Sequence, residues 1–193
     1  MRLSILDSGH GFGTKALFAI IRAVSRQPTP EVVKLVMYRS DFFGTRMKTV
    51  THEAMRGPSA WSVGDRELMA AFVSKMNECE FCIKAHAAVS ARAYRDEAKV
   101  SAALSDLDTA FIQEPLRATL RLLGKLTREY AVDADDMRAV LAAGVSRQQI
   151  EDALAVCFAF NTMNRLADAF AFFVPGPQAF EAGAKFLLAR GYR

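Results

Sequence analysis

Glu67, Cys79, Cys82 and His86 fall in the spacing E-x11-C-x2-C-x3-H. The segment 67–86, ELMAAFVSKMNECEFCIKAH, holds two of the chain's three cysteines and one of its three histidines. A C-x-x-C pair can close a disulfide within one turn of chain, and a nearby imidazole can take a thiol proton. The chemistry these residues suggest first is redox chemistry at sulfur. On a helix, Cys79, Cys82 and His86 lie at i, i+3 and i+7, on one face. A helix N-terminus carries partial positive charge and unpaired N–H groups. That setting favours a thiolate at Cys79 or Cys82, and C-x-x-C thiols so placed have pKa values of roughly 3.5–7.5. A thiolate attacks the O–O bond of a peroxide, becomes a sulfenic acid and condenses with a neighbouring thiol. Glu67 stands twelve residues before Cys79. If the chain folds back between them, its carboxylate reaches His86 and completes a Glu–His–Cys relay of the kind that activates weak nucleophiles.

Positioning those four residues requires two helices joined by a tight turn, and the sequence predicts them. The face Leu68, Ala71, Phe72, Met76 repeats at helical spacing behind Asp65, a candidate cap. Asn77 and Glu78 read as a turn, and a new helix starts near Cys79 and runs to about Tyr94. The surroundings are helical too. Pro30 suits the first position of a helix through Val32, Val33, Leu35, Val36 and Met37. A second helix covers 42–55 and stops at Gly57-Pro58. Glu114-Pro115 opens another through Leu116, Leu120, Leu123 and Leu126, and a short one runs from Asp133 to Gly144. Ser146 with Gln149 resembles a capping box and starts a long helix to Phe173. After Pro175-Gly176-Pro177 a last amphipathic helix covers 179–189. No useful β-alternation exists, so the expected fold is all-α, one compact multi-helix domain over 1–193. Residues 1–14, with Gly9, Gly11 and Gly13, read as a flexible arm; no strand precedes these glycines and no phosphate-loop lysine follows in register.

Other chemistries fit less well. Cys79, Cys82, His86 and Glu67 could supply four zinc ligands, yet no second C-x-x-C or H-x3–5-H pair accompanies them. A c-type haem needs histidine directly after the second cysteine, and Ile83 stands there. His52-Glu53 begins a zincin motif whose second histidine would be Arg56, so that reading fails and His52 is a surface or interface residue. Cys157 lies between Val156 and Phe158 and reads as buried packing; His10 belongs to the arm. Asn161, Asn164 and Arg165 are polar positions in an apolar helix. They are candidates either for backbone or subunit contacts or for the lining of a cavity, with Arg165 paired to Asp168 or another acid nearby. No flavin, nicotinamide or pyridoxal signature is visible, so no cofactor is expected.

The motif resembles the alkylhydroperoxidase D and carboxymuconolactone decarboxylase-like superfamily, particularly its peroxidase-related branch. The matching residues are Arg66-Glu67 at a helix start, Asn77-x-Cys79-x-Phe81-Cys82, His86, and the later Phe160-Asn161-x-x-Asn164-Arg165 followed by Asp168. The resemblance covers roughly 30–173. It implies that Cys82 forms the sulfenic acid, that Cys79 resolves it to a disulfide, and that His86 and Glu67 form the proton relay. It also implies an all-α subunit assembling into dimers, trimers or hexamers, and for some members reduction by a lipoyl-bearing or thioredoxin-like partner. The chain departs at one position. The best-studied members carry a second histidine immediately before the second cysteine, where this chain has Phe81, so the proton path has one polar station fewer.

The 193 residues carry 51% apolar and 24% charged side chains, ordinary globular values. The net charge of +4 comes from 25 basic and 21 acidic residues without a Lys/Arg block, so no nucleic-acid surface is expected. The apolar run 16–21 is too short for a signal h-region, and 153–174 is interrupted by Asn161, Thr162, Asn164, Arg165 and Asp168. A cytoplasmic chain with no membrane partner is expected, and in that compartment a C-x-x-C is catalytic or metal-binding rather than a staple. The function expected from all this is a thiol-dependent peroxidase or disulfide reductase. Two rivals stand beside it: an acid/base enzyme of the lactone decarboxylase type, and a non-enzymatic redox- or zinc-responsive protein.

Overall fold

A computed structural model describes residues 2–192, and among these it is helical with no strand. The centre is a helical hairpin of α5 (Val63–Met76) and α6 (Glu80–Tyr94). The pairing is antiparallel: Glu67 meets His86, the Ser90 hydroxyl donates to the Gly64 carbonyl at 3.0 Å, and Tyr94 reaches Asp65. Gly64 is required at that crossing, because a Cβ there would stand 2.7 Å from the Tyr94 ring.

The turn between the two helices follows from its hydrogen bonds. Glu78 N–H donates to Lys75 and Cys79 N–H to Ser74, with Glu78 at φ +59°. This is a Schellman stop with a non-glycine residue in the left-handed position. It makes Cys79 both the exit of α5 and the N-cap of α6. α5 starts on a capping box in which Ser62, not Asp65, is the cap. The Ser62 hydroxyl accepts from Asp65 N–H, and the Asp65 carboxylate accepts from Ser62 N–H at 2.9 Å.

α5 is buried almost all round, as a helix apolar on every side must be. Around it lie α4 (Thr45–Arg56), α8 (Glu114–Glu129) and α10 (Arg147–Ala169), while α7 (Glu97–Ser105) and α11 (Pro177–Arg190) pack on α6, and α9 (Ala134–Ala142) on α8. The main core joins Met55, Leu68, Met69, Phe72, Val73, Leu120, Leu123, Val156 and Phe160. Each such side chain contributes about 1.5–3 kcal/mol of burial free energy. α9 and α10 carry the capping boxes of Asp133/Asp136 and Ser146/Gln149.

α10 stops at Ala169 instead of running to 173. Ala171 takes φ +51°, and Ala171 and Phe172 donate back to Asp168 and Ala167 in a second Schellman turn. Apolar residues continue past the stop, which is why periodicity overran it.

Before the hairpin, α1 (Ile5–Ser8), α2 (Phe12–Ser25), α3 (Glu31–Tyr38) and a π-turn (Ser40–Gly44) lead into α4. Where a flexible arm was expected at 1–14, the structure has α1 and the start of α2. Leu6 and His10 are buried there, His10 against Phe18 and Tyr38. α2 and α7 were not foreseen in the sequence. No helix among the described residues is long and apolar enough to cross a membrane.

Candidate active site

Glu67 sits on the second turn of α5 with 0% of its surface exposed. Its Oε2 lies 2.7 Å from His86 Nδ1. Its Oε1 accepts from Arg56 Nη2 at 2.6 Å and from the Tyr192 hydroxyl at 2.8 Å. Burial alone would raise the Glu67 carboxyl. The hydrogen bond and attraction of His86, with those of Arg56, outweigh it and hold the group below its ordinary range. Glu67 is therefore a carboxylate, which can only accept, so Nδ1 of His86 carries the proton toward it. In the neutral ring that leaves Nε2 as the free basic atom.

His86 is buried on α6, edge-on to Phe160 of α10 with ring centroids 4.3 Å apart. Arg56, the last residue of α4, also donates to the carbonyls of Met55 and Leu187. Tyr192 follows α11 and stacks over His86 at 6.3 Å and 20°. The Arg56 guanidinium lies 5.0 Å from the Tyr192 ring centre, and Tyr192 N–H donates to His52 Nδ1 at 3.2 Å. Burial first, and then the negative charge of Glu67, push the Tyr192 phenol well above its ordinary range, so it remains a donor.

The thiols lie in a small apolar cluster. Cys79 is 0% and Cys82 2% exposed, and both are free thiols. Ala167 and Phe172 complete this small core, with Val32 and Leu35 of α3, Phe81, Met163 and Phe170 packed against it. The expectation of a lowered thiol pKa does not hold for Cys82. A hydrogen bond with Cys79 raises it well above the ordinary thiol range, with burial and the charges of Cys79 and Asp168 acting in the same direction. The helix terminus is present, but the interaction with Cys79 and then the burial of the pair outweigh it. Cys79 lies close enough to Cys82 to act on its thiol, and neither is hydrogen-bonded to His86. Among the described residues no three His, Cys, Asp or Glu side chains form a metal-ligating group.

Phe81, at the position of departure, packs edge-on against Phe172 at 5.6 Å and lies 5.9 Å from Phe180 of α11. The later polar residues divide. Asn164 is 0% exposed; its Oδ1 faces the Ser74 hydroxyl at 3.0 Å and its amide nitrogen has no partner among the described residues. Asn161 ties the hairpin turn to α10, accepting from Asn77 at 3.0 Å and donating to the Cys157 carbonyl at 3.1 Å. Arg165 folds back on the Asn161 carbonyl at 2.9 Å and is not paired with Asp168. Asn161 and Arg165, with Leu126, Tyr130 and Phe158, line a surface groove of about 720 Å³ that includes none of the relay residues. Cys157 is buried, with the Asn161 amide 3.2 Å from its sulfur, and burial raises its thiol.

Sequence reasoning missed Arg56, Phe160 and Tyr192. Arg56 had entered only as the residue that breaks a zincin motif. Phe160 was quoted for the resemblance without a role. Nothing local in the sequence announces that Tyr192 meets a carboxylate 125 positions upstream.

Residues 43–123, which contain the whole Glu67–His86 motif, match the carboxymuconolactone decarboxylase family. That match supports the resemblance to the alkylhydroperoxidase D and carboxymuconolactone decarboxylase-like superfamily carried by the motif. The fold of the chain is shared with an uncharacterized peroxidase-related protein from Silicibacter sp. TM1040, 22% identical over 93% of each chain with a TM-score of 0.79. It is shared too with an alkylhydroperoxidase AhpD core, an uncharacterized peroxidase-related protein from Ralstonia eutropha JMP134. That protein is 21% identical over 95% of this chain and 96% of its own, with a TM-score of 0.74. The debrominase Bmp8 is 15% identical over 90% of this chain and 92% of its own, with a TM-score of 0.70. At these identities the likeness concerns the fold alone. No curated protein matches the chain.

Proposed function

We propose that the chain is a thiol-dependent peroxidase of the alkylhydroperoxidase type. The observation that carries the reading is the buried Glu67–His86 pair on the same hairpin as two free, adjoining thiols. In the first step Nε2 of His86 takes the Cys82 proton, and Glu67 stabilises the imidazolium so formed. The Cys82 sulfur attacks the terminal oxygen of ROOH, the O–O bond breaks, and the departing alkoxide takes the proton from His86 to leave as ROH. Cys79 then attacks the Cys82 sulfenic acid, forming the disulfide and releasing water. A dithiol or lipoyl-type reductant restores both thiols, so the sum is ROOH plus a dithiol giving ROH, water and a disulfide. Cys82 begins as a protonated thiol, so the base is needed, and such a base is worth about 10²–10⁴ in rate.

The apolar side chains packed around the thiols favour an alkyl peroxide over a strongly hydrated one. The test is peroxide turnover with a dithiol reductant in the wild type, Cys82→Ser and Glu67→Gln. Turnover that survives Cys82→Ser undiminished sinks the assignment. One observation favours a second reading: the relay is fully hydrogen-bonded without either thiol, as an acid/base enzyme would need. Activity on a lactone acid that persists with both cysteines changed to serine would establish it.

A further inference from the structure

We infer that Tyr192 is a positioning residue of the Glu67–His86 pair, fixing through its hydroxyl which nitrogen of His86 is free to act as a base. Glu67 has two oxygens and three donors around them. Oε1 is held by Arg56 at 2.6 Å and Tyr192 at 2.8 Å, so Oε2 alone faces His86 Nδ1 at 2.7 Å. The phenol stays protonated and the carboxylate only accepts, so the direction of the Tyr192 bond is settled. The phenolic oxygen also lies 3.4 Å from Nδ1.

With both oxygens occupied the carboxylate cannot turn about its last torsion, and the imidazole is held with Nδ1–H toward Oε2. Without the hydroxyl, Oε1 keeps Arg56 alone, the carboxylate gains that rotation, and the tautomer with the proton on Nε2 becomes accessible. Tyr192 is itself placed by three contacts on two elements: its N–H on His52 and its ring by Arg56, both of α4, and its face along His86 of α6. α11, which leads into Tyr192, is seated on α6 partly through Phe81 and Phe180. The aromatic residue between the two cysteines thus helps to seat the helix that delivers a polar group to the relay from the other side.

The claim concerns the resting site, so its test does not depend on peroxide turnover. The His86 tautomer is read by long-range ¹H–¹⁵N correlation in the reduced full-length protein. The wild type should show the Nδ1–H form. Tyr192→Phe keeps the ring but loses the hydroxyl, and should lower the ratio of Nδ1–H to Nε2–H about tenfold, the size expected for a bond to a charged acceptor. Tyr192→Ala should do the same, and p-cresol, which restores both ring and hydroxyl, should reverse it where toluene does not. A Tyr192→Phe protein with the wild-type ratio, or an alanine variant rescued equally by toluene, would show that the ring merely packs and would overturn the inference. If the tautomer shifts while peroxide turnover is absent in the wild type as well, Tyr192 keeps its role and the peroxidase reading fails alone.

Discussion

Replacing Glu67 by glutamine changes almost no volume but removes the charge on which three donors converge. Arg56, whose side chain is 11% exposed, loses its partner at 2.6 Å. With its NH₂ toward His86 the new amide forces the proton off Nδ1, and turned the other way its NH₂ faces the donors Arg56 and Tyr192. Breaking a buried ion pair by removing one partner costs about 3–5 kcal/mol. For a domain of this size that corresponds to a fall in Tm of roughly 6–20 °C. Urea unfolding followed by the single tryptophan is a suitable assay, because Trp61 is buried and its indole donates to the Gln149 carbonyl at 2.8 Å. The pH dependence is the sharper part. The folded-state pKa of Glu67 is depressed, so its contribution is complete above the ordinary value of 4.5 and is lost as pH falls from there through the folded value. The gap between wild type and variant should be full at pH 7 and should close in acid. A variant within about 1 kcal/mol of wild type at pH 7 would refute the ionised, triply bonded carboxylate, as would a gap that persists unchanged below the folded value.

Three more outcomes follow from the geometry. Native Cys82 should alkylate slowly with iodoacetamide at pH 7 and gain reactivity only above the ordinary thiol value of 9.0, whereas the unfolded chain should react readily at lower pH. Ser62→Ala should cost about 1 kcal/mol in thermal unfolding, because it removes the acceptor for Asp65 N–H at the start of α5. Gly64→Ala should destabilise by roughly 1–3 kcal/mol through the Tyr94 ring 2.7 Å from the new Cβ. Gly183→Ala, in α11 with nothing within 4 Å, should instead stabilise by about 0.5–1 kcal/mol; calorimetry on the two variants should give opposite signs.

What the sequence could reveal was local. The spacing of Leu68, Ala71, Phe72 and Met76, the Asn77-Glu78 turn and the Ser146/Gln149 box each depend on residues within a few positions of one another, and the structure has all three. The meeting of Glu67 with His86 was legible because a single turn separates their helices. Asp65 was taken as the cap because acidic residues are common at helix starts, while the box actually begins at Ser62. The failures are of longer range. The thiol expectation used the helix terminus, which is local, but Val32, Leu35, Ala167 and Phe172 desolvate the pair from distant parts of the chain. Ala171 and Glu78 take left-handed backbone without being glycine, so neither announces a helix stop. Arg56 reaches Glu67 from the end of α4 and Tyr192 from beyond α11, and no periodicity encodes such a meeting.

The apolar packing around Cys82 also bears on the direction in which electrons would flow. A site that stabilises a thiolate makes its disulfide an eager oxidant, because the reduced form is then favoured. Here the reverse holds, since the Cys79 hydrogen bond and burial both disfavour the Cys82 thiolate. A disulfide closed between these residues would have a low reduction potential, and Cys82 would be a sluggish leaving group when an outside thiol attacks Cys79. Such a bond resists weak monothiols and yields to a dithiol whose own ring closure drives the exchange.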